Sequence, residues 1–184
     1  PSSSRWLTVL VNAMRDGKAI QMSYKSFRRT EPTTFEAHPY CLKIFRQRWY
    51  MLAHTIGKEE LRIYSLDRIA DIEVLDTPLL LPENFDAADF FSDYFGIIIG
   101  HNIKPSILEL KASAEQARYL ESLPLHSSQE VVETTPEYTI FRYRIVPTFD
   151  LKQEILSRGA TLEVLSPEWF REEVVSEIKQ MINN

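Results

Sequence analysis

The pattern of the chain changes between Asp76 and Asp89, and this change constrains the fold more than any other feature. Before it, one amphipathic segment precedes five short segments with close turns, and after it strand-like and helix-like segments alternate. The stretch itself carries Pro78, Pro82 and several acids, which is typical of a linker. The 184 residues are enough for two domains with their own cores. We therefore predict a first domain over 1–76, a linker and docking segment over 77–104, and a second domain over 105–184.

The first part of the chain predicts one helix and five strands. Apolar residues at helical spacing over 4–16 are followed by Gly17, which is typical of a helix C-cap. Pro39 marks a bulge or a sheet edge. One helix and five short strands with close turns predict a small barrel. The predicted strands are 19–27, 34–46, 48–56, 60–66 and 68–75.

The second part predicts a ferredoxin-like domain within an α+β protein. Its segments follow the order β-α-β-β-α-β, and a further helix ends the chain. Pro167 fits the first turn of that last helix. The predicted strands are 106–112, 127–134, 137–146 and 160–165, and the predicted helices are 113–123, 148–158 and 167–182.

Charge is unevenly distributed along the chain. The formal net charge is −5, yet residues 1–80 hold 12 Lys and Arg against 9 Asp and Glu, and residues 81–184 hold 9 against 17. An acidic chain is poorly suited to wrapping duplex DNA, which needs many phosphate contacts. A local basic pocket on an acidic body is instead suited to a small anion or a few nucleotides.

The cellular compartment can be predicted from the cysteine count and from the lack of a membrane span and of a secretory signal. A single cysteine, Cys41, excludes an internal disulfide and fits a reducing cytosol. No apolar run approaches the roughly 20 residues of a membrane span, and the start has no secretory signal. We expect a cytoplasmic protein without membrane contact. Because the chain does not begin with Met, we also expect it to be a fragment of a longer one.

The basic first part carries the candidate ligand-binding residues. Guanidinium groups match phosphate with two parallel hydrogen bonds, tyrosines stack on bases or donate a hydroxyl, and histidine and serine donate to phosphate oxygens. We expect the candidates to converge on one anion-binding cleft. Alternatively, the arginines lie on a solvated strand face in surface ion pairs, and the tyrosines and the histidine are structural. The candidates are Tyr24, Ser26, His38, Arg48, Tyr50, Arg62 and Arg68.

Catalytic and metal-binding patterns find little support. Cys41 and His38 are three residues apart, so on a strand they point to opposite faces. No glycine-rich phosphate loop exists, and no cluster has the spacing of metal ligands. The run His126-Ser127-Ser128 has no identifiable carboxylate partner. We predict a protein that is not an enzyme and has no catalytic residue, metal site or cofactor.

Several motifs resemble the WYL family, named for a Trp-Tyr-Leu tripeptide. The tripeptide stands here as Trp49-Tyr50-Met51, a conservative change in a packed position. The chain also carries the family-like segments Tyr24-Lys25-Ser26, His38-Pro39-Tyr40 and the Arg-x-Tyr-x-Leu-Asp-Arg-Ile run at 62–69. The second part resembles the WCX extension that commonly follows WYL, through residues 90–97, 125–129 and 159–168.

The resemblance implies a fold and a function. WYL domains resemble Sm-like, SH3-like five-stranded barrels, and they are usually ligand-sensing parts of bacterial transcriptional regulators behind an N-terminal helix-turn-helix. Their effectors are nucleotide-like or short single-stranded nucleic acids. The helix-turn-helix is absent from this sequence, so we expect it before residue 1, and we expect duplex DNA binding only through it.

An apolar run lies at the start of the WCX-like part of the chain. The apolar run at the start of the WCX-like part predicts a docking or homodimer surface. Two other functions stay open: an accessory module that binds single-stranded nucleic acid, and a pure oligomerisation module without a ligand. The run comprises Phe90, Phe91, Tyr94, Phe95 and Ile97-Ile98-Ile99.

Overall fold

A computed structural model describes residues 2–100 and 103–183 of the chain. The chain divides into two compact units, one up to Phe90 and one from Phe91 onward. The predicted linker and docking segment, 77–104, is thus shared between both units. In the described part of the chain, no helix is both long enough and apolar enough to cross a membrane.

The first unit is a helix followed by a five-stranded antiparallel sheet. The strand order across the sheet is β4-β3-β2-β1-β5. A short helix, α2 (Ala87–Phe91), which the sequence pattern did not predict, lies at the point in the chain where the first unit ends and the second begins. The other elements are α1 (Ser2–Arg15), β1 (Lys18–Tyr24), β2 (Thr33–Phe45), β3 (Arg48–Thr55), β4 (Arg62–Ser65) and β5 (Ile69–Pro78).

Helix α1 covers one face of this sheet. Its apolar residues Trp6, Leu10 and Ala13 recur at helical spacing and are buried. The indole Nε1 of Trp6 donates a hydrogen bond of 3.0 Å to the carbonyl oxygen of Ile69 at the start of β5. Gly17 ends the helix with φ +64°, a left-handed conformation that glycine adopts without steric cost, so the predicted C-cap is confirmed.

The five predicted strands are present, but they do not close into a barrel. Strands β4 and β5 are the two edges of the sheet and are not paired with each other in the described residues. The register of β2 against β3 shifts between Pro39 and Cys41, so the bulge predicted at the proline is confirmed. The structure therefore confirms a five-stranded antiparallel sheet and corrects the prediction of a closed barrel.

The second unit is a four-stranded antiparallel sheet with three helices. The order β7-β8-β6-β9 places the first and third strands of the unit in the middle, as in the split βαβ arrangement. Helix α5, predicted over 167–182, follows the last strand. The elements are β6 (Ser106–Ser113), α3 (Ala114–Ser122), β7 (Glu130–Thr134), β8 (Tyr138–Ile145), α4 (Phe149–Ser157), β9 (Leu162–Ser166) and α5 (Glu168–Asn183).

The segment before β6 is fastened to the second unit by polar contacts. Asp93 forms an ion pair of 2.7 Å with Arg144, and Asp150 accepts hydrogen bonds of 2.9 Å from the backbone N–H groups of Ile97 and Ile98. Each contact joins parts of the chain that are about fifty residues apart. They hold the start of the unit in a defined position.

This attachment changes the interpretation of the apolar run that was predicted as a docking surface. Phe91 is only 8% exposed, and Phe95 packs against the core of the second unit. Side chains that are used inside a unit contribute little apolar surface to a partner. Phe91 and Phe95 are therefore packed inside the protein and contribute little apolar surface to a partner.

Candidate anion-binding site

Arg68 and Phe27 form one end of a candidate ligand site. The Arg68 guanidinium carbon lies 4.0 Å from the ring centre of Phe27 and 5.0 Å from that of Tyr24. Its Nε donates a hydrogen bond of 3.1 Å to the carbonyl oxygen of Lys25, and the Lys25 N–H donates to the carbonyl of Arg68 at 3.0 Å. These bonds tie the arginine to the end of β1, so the guanidinium is held in place before any ligand arrives.

Phe27 is unusual for a large apolar side chain because it is 88% exposed. An exposed ring beside a guanidinium is a surface on which a nucleobase can stack while the cation binds an anion. In the described residues, Arg68 forms no ion pair with a carboxylate. Its charge is therefore not neutralised by a direct partner within the described part of the protein.

Two buried tyrosines continue the site from Arg68 toward Arg62. The rings of Tyr24 and Tyr64 meet edge to face with centres 5.0 Å apart. The Tyr64 hydroxyl is hydrogen bonded to Thr55 Oγ1 at 2.5 Å. Burial raises the pKa of Tyr64, whereas the hydroxyl of Thr55 and the charge of Arg62 lower it. Arg62 therefore lies close enough to Tyr64 for its charge to act on the phenol.

The hydroxyl of Tyr24 reaches β4. It accepts a hydrogen bond of 3.2 Å from the backbone N–H of Ser65 and keeps its own O–H for another acceptor. Burial raises the pKa of Tyr24, against lowering by the Ser65 N–H and the charge of Arg68, so the phenol remains a neutral donor. The buried Ser65 hydroxyl has no hydrogen-bond partner within the described residues. The Tyr24 hydroxyl thus lies close enough to Arg68 for the charge of Arg68 to act on it.

We refer to these side chains as the aromatic–arginine cluster, which comprises Tyr24, Phe27, Arg62, Tyr64 and Arg68. Sequence reasoning found three of its members and missed Phe27 and Tyr64. Phe27 had one usable signal, since it is a large apolar residue directly before the charged turn that begins at Arg28. Tyr64 had none, because a tyrosine in a strand usually packs in the core.

Arg48 does not share a sheet face with Arg62. Along β3, Trp49, Met51 and Ala53 face the core side, so Arg48 and Tyr50 face the other side. Residue Arg62 of β4 lies directly opposite Ala53 and therefore points to the core side of the sheet. The structure thus separates the two arginines that were expected to converge on one cleft. Tyr50 is still near enough to Tyr24 to contribute to raising the pKa of that phenol.

His38 is buried, and both of its ring nitrogens are engaged. Nε2 is hydrogen bonded to Glu36 Oε1 at 3.1 Å, and Nδ1 accepts the backbone N–H of Leu80 at 3.0 Å. The ring therefore fastens the segment after β5 onto the sheet and has no donor left for a phosphate. The Ser26 hydroxyl accepts the backbone N–H of Arg28 at 3.2 Å and closes the turn beside Phe27.

The side chains whose chemistry could support catalysis are held in structural hydrogen bonds or are partly buried. Ser128 Oγ lies 2.7 Å from His126 Nδ1 and 3.1 Å from the carbonyl oxygen of Arg144, and it accepts the backbone N–H of Arg144 at 3.0 Å. Burial raises the pKa of the Cys41 thiol, which disfavours the reactive thiolate. Across residues 2–100 and 103–183, no group of three or more His, Cys, Asp or Glu side chains could hold a metal ion.

Comparison with known proteins agrees with this two-part architecture. Residues 5–74 match the WYL domain, and residues 106–182 match the WCX domain. A CRISPR Cas-related protein has a similar fold, with a TM-score of 0.51 and 14% identity over 95% of this chain. The proteasome accessory factor B/C (PafBC) of Arthrobacter aurescens aligns over 97% of this chain with a TM-score of 0.42 and 18% identity. This chain spans 49% and 27% of the lengths of those two proteins, respectively.

Proposed function

Since the chain belongs to the proteins in which a WYL domain is followed by a WCX domain, we propose that it is the effector-sensing part of a cytoplasmic bacterial transcriptional regulator. In this proposal the Sm-like WYL domain, over 1–76, binds a small anionic ligand such as a nucleotide or a short single-stranded nucleic acid. The segment 77–104 connects it to a WCX domain over 105–184. The protein is not an enzyme, and the ligand acts as a signal and not as a substrate.

The observation that carries the proposal is the position of the Arg68 guanidinium between Phe27 and Tyr24. A guanidinium with one N–H bound to Lys25 keeps four further N–H donors, which match two oxygens of a phosphate. The exposed ring of Phe27 lies within stacking distance of a base attached to that phosphate. Arg62, on the side of Tyr64, supplies a second positive charge. We propose Tyr24, Phe27, Arg62 and Arg68 as the residues that bind the ligand.

A matched pair of arginine variants tests this site. Nucleoside mono- and diphosphates and short 5′-phosphorylated oligonucleotides are titrated by calorimetry into wild type, Arg68→Ala and Arg48→Ala. Losing charge-assisted hydrogen bonds costs about 1.5–3 kcal/mol, so Arg68→Ala should weaken binding roughly ten- to a hundredfold. Arg48→Ala removes the same charge from the opposite sheet face and should leave the affinity unchanged. Equal losses in both variants would contradict the assignment.

The two alternative functions predict different results in two further measurements, the salt dependence of the affinity and the unfolding temperature with ligand. An accessory module that binds single-stranded nucleic acid contacts many phosphates, so its affinity falls steeply with salt concentration, whereas a small ligand gives a shallow slope. A pure oligomerisation module has no ligand, so no compound of the panel would raise its unfolding temperature. A specific ligand must raise it by mass action.

A further inference from the structure

The segment 25–29, which is centred on Phe27, contains three basic residues and no acidic one. Lys25, Arg28 and Arg29 are all exposed. None of the three forms an ion pair in the described part of the chain. We refer to this segment as the basic turn. It places positive charge without a direct partner beside the exposed ring of Phe27, on a protein whose formal net charge is −5.

Hydrogen bonds hold the backbone of the basic turn in a defined position. The Lys25 N–H donates to the carbonyl oxygen of Arg68 at 3.0 Å, and the Lys25 carbonyl accepts the Arg68 Nε at 3.1 Å. Ser26 accepts the Arg28 N–H on its hydroxyl at 3.2 Å and the Arg29 N–H on its carbonyl oxygen at 3.3 Å. The last of these bonds closes a turn whose first and fourth Cα atoms are less than about 7 Å apart. The turn is therefore ordered close to Arg68 before a ligand binds.

The acidic residues nearest along the chain do not neutralise these charges. They are Glu31, after the basic turn, and Asp67, directly before Arg68. Within the described residues, neither forms an ion pair with the basic turn or with Arg68. Like charges held close together repel each other, and an anion between them removes this repulsion. The arrangement therefore favours a ligand with more negative charge than one phosphate carries.

We propose that Arg28 and Arg29 form a second phosphate subsite for the ligand that binds at Arg68, so that this ligand carries at least two phosphate groups. The proposal rests on the proposed function, because it extends the aromatic–arginine cluster. One phosphate binds at Arg68, the base stacks on Phe27, and the second phosphate binds at the basic turn. Guanidinium groups match two oxygens of a phosphate, so two exposed arginines in one turn are suited to this role.

Calorimetry with three ligands of the same base tests the second subsite. The ligands are a nucleoside 5′-monophosphate, a nucleoside 5′-diphosphate and a 5′-phosphorylated dinucleotide. In wild type the second phosphate should raise the affinity about tenfold, the lower end of the range for charge-assisted hydrogen bonds, because the turn is exposed. The double variant Arg28→Ala/Arg29→Ala should lose this gain and keep the monophosphate affinity. Since both arginines are exposed, its unfolding temperature should equal that of wild type.

A second double variant controls for the change in net charge. Arg118→Ala/Lys179→Ala removes two exposed cations from the second unit, so its net charge equals that of the first double variant. A loss of net charge weakens the attraction of any anion at long range. The control should leave the affinities of all three ligands unchanged, because neither of its residues belongs to the basic turn.

The salt dependence of the affinity gives an independent measure of the same subsite. Each phosphate of a single strand that is neutralised adds about 0.7 to the slope of log affinity against log salt concentration. In wild type the slope for the dinucleotide should exceed that for the monophosphate by about 0.7. In Arg28→Ala/Arg29→Ala the two slopes should be equal.

The outcomes separate this inference from the proposed function. A gain for the dinucleotide alone supports the subsite and identifies an internucleotide phosphate, whereas an equal gain for the diphosphate supports it and identifies a phosphate chain. The subsite is overturned if a second phosphate brings no gain in wild type, if the gain survives in Arg28→Ala/Arg29→Ala, or if the control loses as much. Monophosphate binding that still depends on Arg68 would leave the proposed function intact in each of these cases. If no ligand binds, the proposed function fails and the subsite fails with it.

Discussion

The guanidinium carbon of Arg68 lies 4.0 Å from the ring centre of Phe27, although the two residues are far apart in the chain. The Lys25 carbonyl holds Arg68 from one side, so the pair forms a fixed surface at the end of β1. A ligand that uses this surface pays little for ordering these groups, because they are ordered before it binds. The following predictions test the consequences of this geometry and of two contacts that stabilise the units.

Arg62 should contribute to ligand affinity as a planar hydrogen-bond donor. We expect Arg62→Ala to remove about 1.5–3 kcal/mol of binding free energy for a 5′-phosphorylated ligand. Arg62→Lys should restore little of it, because a point charge does not replace a planar fork. Calorimetry on wild type and both variants measures this. Since Arg62 is exposed, both variants should fold, and an unfolded Arg62→Ala would instead identify a structural residue.

Phe27 should select for the base and not for the phosphate. Stacking a base on an aromatic ring is worth about 1–3 kcal/mol, so Phe27→Ala should weaken nucleotide binding by roughly five- to a hundredfold. The affinity for inorganic pyrophosphate, which has no base, should be the same in wild type and variant. Competition titrations with both ligands give the two values. A parallel loss of both affinities would mean that Phe27 acts by positioning Arg68.

The hydrogen bond from Trp6 to Ile69 should stabilise the docking of α1 on the sheet. Trp6→Phe removes the donor of this buried hydrogen bond, which costs about 1–3 kcal/mol. The expected result is a lower urea midpoint, followed by far-ultraviolet circular dichroism. Trp49→Phe changes a half-buried tryptophan of the same unit and should shift the midpoint less. A larger shift of the urea midpoint in Trp49→Phe than in Trp6→Phe would show that the hydrogen bond contributes little.

His126 should make the second unit less stable in mild acid. Burial lowers the pKa of its imidazole, while the Ser92 backbone and the Asp93 charge act in the opposite direction. In the folded unit Nδ1 accepts the Ser128 N–H at 3.2 Å, which requires that nitrogen to be unprotonated. The unfolded chain takes up a proton near the ordinary pKa of about 6.5, whereas the folded unit does so only at lower pH.

The stability that His126 contributes is therefore complete above about pH 6.5 and is lost as the pH falls toward the folded pKa. Unfolding free energies measured between pH 7.5 and 5 should decrease more steeply in wild type than in His126→Asn. A nuclear magnetic resonance titration of the ring should place its folded pKa below the ordinary value. A titration at or above 6.5 would contradict the prediction.

Much of the fold could be predicted because its signals are local. The apolar spacing of α1, the glycine that ends it and the alternation along β1 each depend on a few neighbouring residues. Pro39 indicated the bulge because it lacks a backbone N–H, and this is a property of one residue. Helix α2 was missed because five residues are too few for a periodic pattern.

The candidate site was predicted only in part, because it depends on strand register and on distant contacts. The alternation of β3 sets Arg48 and Tyr50 on one face, but only the pairing of Ala53 with Arg62 decides which face Arg62 takes. A shift of that pairing by one residue would have placed Arg62 on the same sheet face as Arg48. His38 was a reasonable donor by sequence, yet the backbone of Leu80, 42 residues later, occupies its Nδ1.

By itself, the sequence determined the two-part architecture, the kind and order of the longer elements, and the basic character of residues 1–80, since these follow from short-range periodicity and composition. The tertiary structure alone decided that the sheet stays open, that Arg68 meets Phe27 and that Arg48 does not join Arg62. It also decided that Phe170 and Val174 of α5 are buried whereas Ile178 and Met181 of the same helix are exposed. These features are set by pairing register and by packing between residues far apart in the chain, and no local pattern carries that information.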